Sequence, residues 1–119
     1  MERKREDLAW VAGFFDGEGC ITPRKYHPKS GGPSTYYAQM CTVQNSLEVL
    51  EKCKRVTGIG HISGPQQKLF LKGKTRYQWQ ANGFEQIQAL LAMMWEWLGT
   101  KKREQAIRVL ALHGQKVKL

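Results

Sequence analysis

The sequence predicts an α+β domain with elements in the order α-β-β-α-β-β-α-α, and three observations predict it. Apolar residues recur at helical spacing in four separate segments. Between them lie two stretches whose apolar and polar residues alternate as strands do, each interrupted by glycine and proline. Most of the helical segments begin at a residue suited to capping and end at glycine. Two hairpins set between helices are expected to pair into one four-stranded antiparallel sheet, with helices on one face and the other face open. At 119 residues and 41% hydrophobic content, the chain fits a single packed domain over its whole length rather than a disordered tail.

The first helix is expected to start at Asp7 as cap, to carry Leu8, Val11, Ala12 and Phe15 on its apolar side, and to end at Gly17 and Gly19. Cys20 to Tyr26 and Tyr36 to Gln44 form the first hairpin, with a long tip of breakers from Pro28 to Ser34. Asn45 and Glu48 have the form of a capping box for a second helix, whose Leu47, Val49, Leu50, Cys53 and Val56 precede the stop at Gly58. His61 to Ser63 and Lys68 to Leu71 read as a strand region broken by Gly64-Pro65. Arg76 to Gln80 is its partner, with Tyr77 and Trp79 on one face and Arg76, Gln78 and Gln80 on the other. Asn82 with Glu85 repeats the capping pattern before Phe84, Ile87, Leu90, Leu91, Met94, Trp95 and Leu98. Thr100 then caps a last helix that is expected to bury Ile107, Leu110 and Ala111 and to end near Gly114.

Charge narrows the function classes. With 19 Lys and Arg against 10 Asp and Glu, the net charge is +9, which favours a polyanionic partner. The charges also segregate: no acid occurs from Gly19 to Leu47 or from Lys52 to Phe84, as expected of a surface that faces phosphates. No apolar run approaches the roughly 20 residues that span a bilayer, and the charged start is unlike a signal peptide, so the chain reads as soluble and intracellular, with no membrane partner. Cys20, Cys41 and Cys53 form no C-x-x-C pair and are expected to be reduced packing residues.

Asp16-Gly17-Glu18-Gly19 places two carboxylates at the C-terminal end of the first helix, where the dipole is already negative. A turn of this composition is common. A divalent cation would reverse the electrostatics, because hard cations take carboxylate and carbonyl oxygens.

The preceding residues add weight to the second reading. Trp10-Val11-Ala12-Gly13-Phe14-Phe15-Asp16-Gly17-Glu18-Gly19 resembles the signature of the LAGLIDADG homing endonucleases, with Val11 to Gly19 matching nearly position for position. The departures are Val for Leu, Phe14 and Phe15 for aliphatics, Gly17 for Ala and Glu18 for the usual second Asp. The element order is also that of the family's single-motif members, so the resemblance covers nearly the whole chain and implies one LAGLIDADG domain over residues 1–119, its hairpins forming a saddle over DNA.

The resemblance implies a site-specific double-strand endonuclease. Two motif helices pack together, small residues such as Ala12 and Gly13 letting them approach, with Val11, Ala12, Phe15 and Asp16 at the dimer interface. Glu18 is implied as a catalytic acid and metal ligand for Mg²⁺ or another divalent cation such as Mn²⁺. The carbonyl of Gly17 is a second metal contact, and Asp16 is structural. A Gln that positions water falls on Gln44, and the active-site Lys on Lys102, with Lys101 as the alternative. One motif implies a homodimer reading a pseudo-palindromic site. Alternation together with the resemblance puts Arg24, Tyr26, Tyr37, Gln39, Arg76, Gln78 and Gln80 toward bases, and Lys25, Lys29, Lys72 and Lys74 on phosphates, unless a bulge shifts the register between Tyr37 and Gln44. The alternative implied by the same scaffold is a catalytically weak or inactive nucleic-acid-binding protein, including an intron RNA maturase.

Overall fold

The computed structural model of the protein describes residues 4–66 and 75–117. The elements are α1 (Arg5–Glu18), β1 (Cys20–Tyr26), β2 (Thr35–Gln44), α2 (Leu47–Thr57), β3 (His61–Gln66), β4 (Arg76–Asn82), α3 (Phe84–Met94), a 3-10 turn (Trp95–Trp97) and α4 (Thr100–Leu112). Both expected hairpins are present, and they join through β2 and β4 into one antiparallel sheet of order β1-β2-β4-β3. This is the α+β architecture expected from the sequence. No helix among the described residues is long and apolar enough to cross a membrane.

The core lies between one sheet face and the helices. Ile21, Ala38, Met40, Trp79 and Ala81 come from the sheet, and Val11, Phe15, Leu50, Ile87, Leu90 and Met94 from the helices. The alternation expected of β4 holds: Trp79 is buried, Tyr77 packs against the core, and the Trp79 indole N–H donates to the Ile59 carbonyl at 3.0 Å, which removes the penalty of burying it. Gly58 ends α2 in a left-handed conformation, φ 72°, as its position in the sequence predicts.

Several expectations are corrected. None of the expected side-chain caps forms: Lys4, Ser46, Gly83 and Gly99 occupy the cap positions, and Asp7 and Thr100 lie inside their helices. Asn82 is a strand residue whose side-chain carbonyl accepts from Gln39 at 2.9 Å, so it is committed across the sheet rather than to α3. Glu48 and Glu85 keep first-turn positions, which the dipole favours without a capping bond. The long helix expected up to Leu98 is divided, because a 3-10 turn replaces its last segment. α4 buries Ala106 and Val109; Ile107 is 62% exposed and Ala111 is exposed, since α4 is rotated to pack on β1 and β2. β3 runs through Gly64-Pro65 to Gln66, with a register irregularity between Ser63 and Gln66. Gly64 permits this with φ 121°, where a Cβ would lie 2.8 Å from the Arg76 carbonyl oxygen. The expected strand from Lys68 to Leu71 lies outside the described residues.

Candidate functional site

The two sides of α1 have different surroundings. Val11, Ala12 and Phe15 are 0% exposed in the core of their own chain. Their expected place in a dimer interface is therefore corrected, because side chains with no accessible surface have none to lose to a partner. The opposite stripe is open. Trp10, Gly13, Phe14 and Gly17 follow the i, i+3, i+4, i+7 spacing of one helix face. Trp10 is 38% exposed and stacks on Phe14 with centroids 5.7 Å apart, and the Lys52 ammonium lies 4.0 Å from the Trp10 centroid. A Cβ added at Gly13 or Gly17 would meet nothing within 4 Å.

At the end of this helix the two acids are separated by their partners. Asp16 Oδ1 accepts the Gly99 N–H at 2.8 Å, so a carboxylate of α1 caps the N-terminus of α4. That bond places Asp16 where a helix dipole favours negative charge and offsets its unfavourable position on α1. Asp16 is half-buried, in keeping with a structural residue. Glu18 is exposed, and no basic residue lies in the last turn of α1. Its Oε2 has the Gln44 side-chain amide at 3.4 Å, a long contact that leaves the carboxylate available to a stronger partner. Gly19 follows the helix in an extended conformation, and only glycine fits there because an added Cβ would overlap the Phe15 ring.

Gln44, at the end of β2, and the first turn of α4 meet this acidic end. Lys102 is half-buried with its ammonium 6.0 Å from the Phe15 centroid, while Lys101 is exposed. Lysines in the first turn of a helix are opposed by its dipole, so Lys101 and Lys102 gain nothing from α4 itself. Their charge complements the acids at the end of α1. Gly17 is exposed beside Glu18, as a backbone metal ligand must be. Among the described residues no group of three or more His, Cys, Asp or Glu could hold a metal ion. At this end of α1 one chain thus offers a single open carboxylate, Glu18, with a backbone carbonyl beside it, donors of the oxygen chemistry that a hard divalent cation takes.

The sheet face turned from the helices carries the other candidates. Register places Arg24 and Tyr26 of β1, Tyr37 and Gln39 of β2, and Arg76, Gln78 and Gln80 of β4 on this face. The β1–β2 and β2–β4 pairings run without a register shift, so alternation persists from Tyr37 to Gln44. Gln39 differs from the rest in being only 7% exposed. Lys25, opposite Tyr36, has the other parity but is exposed at the outer end of β1, and Lys29 is exposed in the tip. Lys72 and Lys74 lie outside the described residues. Among the described residues the one ion pair is Arg5–Glu96, so no carboxylate neutralises Arg24, Lys25, Lys29 or Arg76.

Two features of this face escape the sequence reading. Asn82 belongs to it, bonded to Gln39; its parity with Gln78 and Gln80 was the available signal, masked by its resemblance to a helix cap. Cys20 and Cys41 are register partners on the same face, and Cys20 is exposed rather than a packing residue. Burial raises the Cys41 thiol above its ordinary range, Cys20 adds to the rise and Arg24 opposes it. Burial pushes Cys53, in the core, up to about 12.

No protein-family model matches the chain, and no curated protein matches its sequence. Solved structures match it by shape. Homing endonuclease I-CvuI, in complex with a DNA target in the presence of magnesium, is 21% identical with a TM-score of 0.72, the match covering 91% of this chain and 68% of that one. A further I-CvuI complex was solved with calcium. Homing endonuclease I-TnaI is 22% identical with a TM-score of 0.67, covering 93% of this chain and 74% of that one. LAGLIDADG homing endonuclease I-GzeII, in complex with its DNA target, is 15% identical with a TM-score of 0.67, covering 87% of this chain and 35% of that one.

Proposed function

This chain has the fold of the LAGLIDADG homing endonucleases, and we propose that it is a site-specific double-strand DNA endonuclease that acts as a homodimer in one domain over residues 1–119. The observation that carries this reading is Glu18. It is an exposed acid at the end of an open helix face whose one side-chain contact is long, while its neighbour Asp16 is engaged by Gly99. Two chains meeting along Trp10, Gly13, Phe14 and Gly17 bring two copies of Glu18 together across a two-fold axis, and the bare backbone at Gly13 and Gly17 allows close approach.

Glu18 and the Gly17 carbonyl are the residues that would hold Mg²⁺ or Mn²⁺. When bound, such a cation supplies charge stabilisation to the scissile phosphate. Gln44, already beside Glu18, positions a water through its amide. Lys102 is favoured over Lys101 because it leans toward Phe15 and the end of α1, where its charge offsets the developing negative charge. Arg24, Tyr26, Tyr37, Arg76, Gln78 and Gln80 meet base edges in the major groove, with Lys25, Lys29, Lys72 and Lys74 on phosphates.

Selection from a random duplex library in Mg²⁺ supplies the target, and Glu18→Gln is then tested on it. The variant is expected to bind with near-native affinity and to cut at least about a hundredfold more slowly, in the range seen when a charge-stabilising group is removed. Undiminished cleavage rules out the role of Glu18. A wild-type protein that binds but never cuts is the binding module, whether its partner is DNA or an intron RNA. A monomer in sedimentation at micromolar concentration removes the shared site.

A further inference from the structure

The base-facing surface holds one residue that is poorly placed to read a base. Gln39 lies near the middle of the open face, at the register position of Thr22 on one side and Asn82 on the other, yet it is 7% exposed. A base edge reaches a side-chain amide only where that amide is exposed, and one bonded at both its oxygen and its nitrogen is held among its neighbours in the sheet. Those of Gln39 are both in use: its Oε1 accepts from Arg24 Nε at 2.8 Å, and its Nε2 donates to Asn82 Oδ1 at 2.9 Å. The three residues form one hydrogen-bonded row that crosses β1, β2 and β4.

We infer that Gln39 and Asn82 are positioning residues that hold Arg24 as the guanine reader of this face. The inference rests on the DNA-binding reading above. A guanidinium whose Nε is tied sideways keeps its two Nη groups in a fixed fork. Arg24 is exposed, and no carboxylate among the described residues pairs with it, so that fork is free to meet an acceptor above the sheet. The two acceptors that match it on a base are O6 and N7 of guanine.

The row also orders the amides. Arg24 can only donate, so the Gln39 carbonyl oxygen is turned toward it and the Gln39 N–H₂ is left for Asn82 Oδ1. Without Asn82 the far end of the Gln39 amide loses its anchor on β4, and the row no longer spans the sheet. Gln78 and Gln80 share a separate bond of 2.8 Å and are both half-buried, so they form a second unit with reading edges of its own.

The test is selection and sequencing of bound duplexes from a random library, with wild type, Arg24→Ala, Gln39→Leu, Gln39→Glu and Asn82→Ala. Wild type is expected to prefer guanine at one position per half-site, and Arg24→Ala to lose about tenfold discrimination there. Gln39→Leu is expected to lose preference at that same position and at no other, with an unchanged slope of log affinity against log salt, since no phosphate contact is removed. Gln39→Glu keeps an acceptor for Arg24 Nε and is expected to retain the guanine preference despite lower overall affinity. Asn82→Ala, which disturbs no core residue, is expected to lose part of it.

If Gln39→Leu alters a different position from Arg24→Ala, Gln39 reads a base itself and the inference fails. It also fails if Gln39→Leu and Asn82→Ala both leave the preference intact, or if Gln39→Glu behaves as Gln39→Leu does. Should wild type select no sequence at all, the DNA-binding reading falls and the inference falls with it. That result is distinct from a sequence preference that does not depend on Gln39.

Discussion

The inner and outer faces of α1 use similar residue types to opposite ends. On the inner face Val11, Ala12 and Phe15 have no exposed surface, and Phe15 presses so closely on Gly19 that no side chain fits there. On the outer face Gly13 and Gly17 have free space above them, and Trp10, with the Lys52 ammonium over its ring, stacks on a half-buried Phe14. Aromatic and small residues occur on both sides, so composition does not separate the core face from the open face. What separates them is which side the other helices and the sheet occupy. A helix with one face filled and one bare ends at Glu18, and under the proposed function the bare face is where a second copy docks.

The two faces should answer substitution differently. The largest effect is expected on the inner face: Phe15→Ala removes a fully buried ring and should destabilise the fold by about 3–5 kcal/mol in urea unfolding. A loss much below this range would mean that the inner face is not the core face. On the outer face, Gly13→Leu should weaken self-association through overpacking worth about 1–3 kcal/mol, read by sedimentation equilibrium. The isolated fold should be unharmed or gain about 0.5–1 kcal/mol, because a better helix former replaces glycine. Equal loss of stability and association would break the distinction between the faces.

Asp16 joins the two faces to the rest of the chain through α4. Asp16→Ala should cost about 1 kcal/mol, as loss of a helix cap does, and lower the thermal midpoint without changing the urea slope. Asp16→Asn, which keeps an acceptor oxygen, should recover most of that loss. An Asp16→Ala protein as stable as wild type would show that the Gly99 contact does not hold α4.

The smallest effect near neutrality concerns Cys53, packed where α2 joins the core. Its thiol stays neutral in the fold up to about 12 against an ordinary value of 9.0, so the unfolded chain ionises first. The stability this group contributes is complete below pH 9.0 and is lost as the pH rises through 9.0 toward about 12. Comparing the pH slopes of wild type and Cys53→Ala over that window isolates the contribution. Native-state alkylation should meanwhile modify the exposed Cys20 and spare Cys53.

Much of this molecule is legible in its sequence, because the relevant signals are short-range. The order of elements, the two sides of β4 and the stop at Gly58 follow from spacings of two or four residues and from the freedom of one glycine. The acid proposed for the site is also marked locally, by the glycines around Glu18 and the motif before it. Periodicity separates Trp10, Gly13, Phe14 and Gly17 from Val11, Ala12 and Phe15 without saying which set is inside. Tertiary structure decides that, because the choice depends on where α2, α3 and β2 lie against α1. It also decides that Asp16 caps a helix 83 residues away, and that Gln39 is sunk between Arg24 and Asn82 while Gln78 and Gln80 remain more open. A carboxylate or an amide bonds the nearest suitable donor in space, and the identity of that donor is set only when distant segments pack.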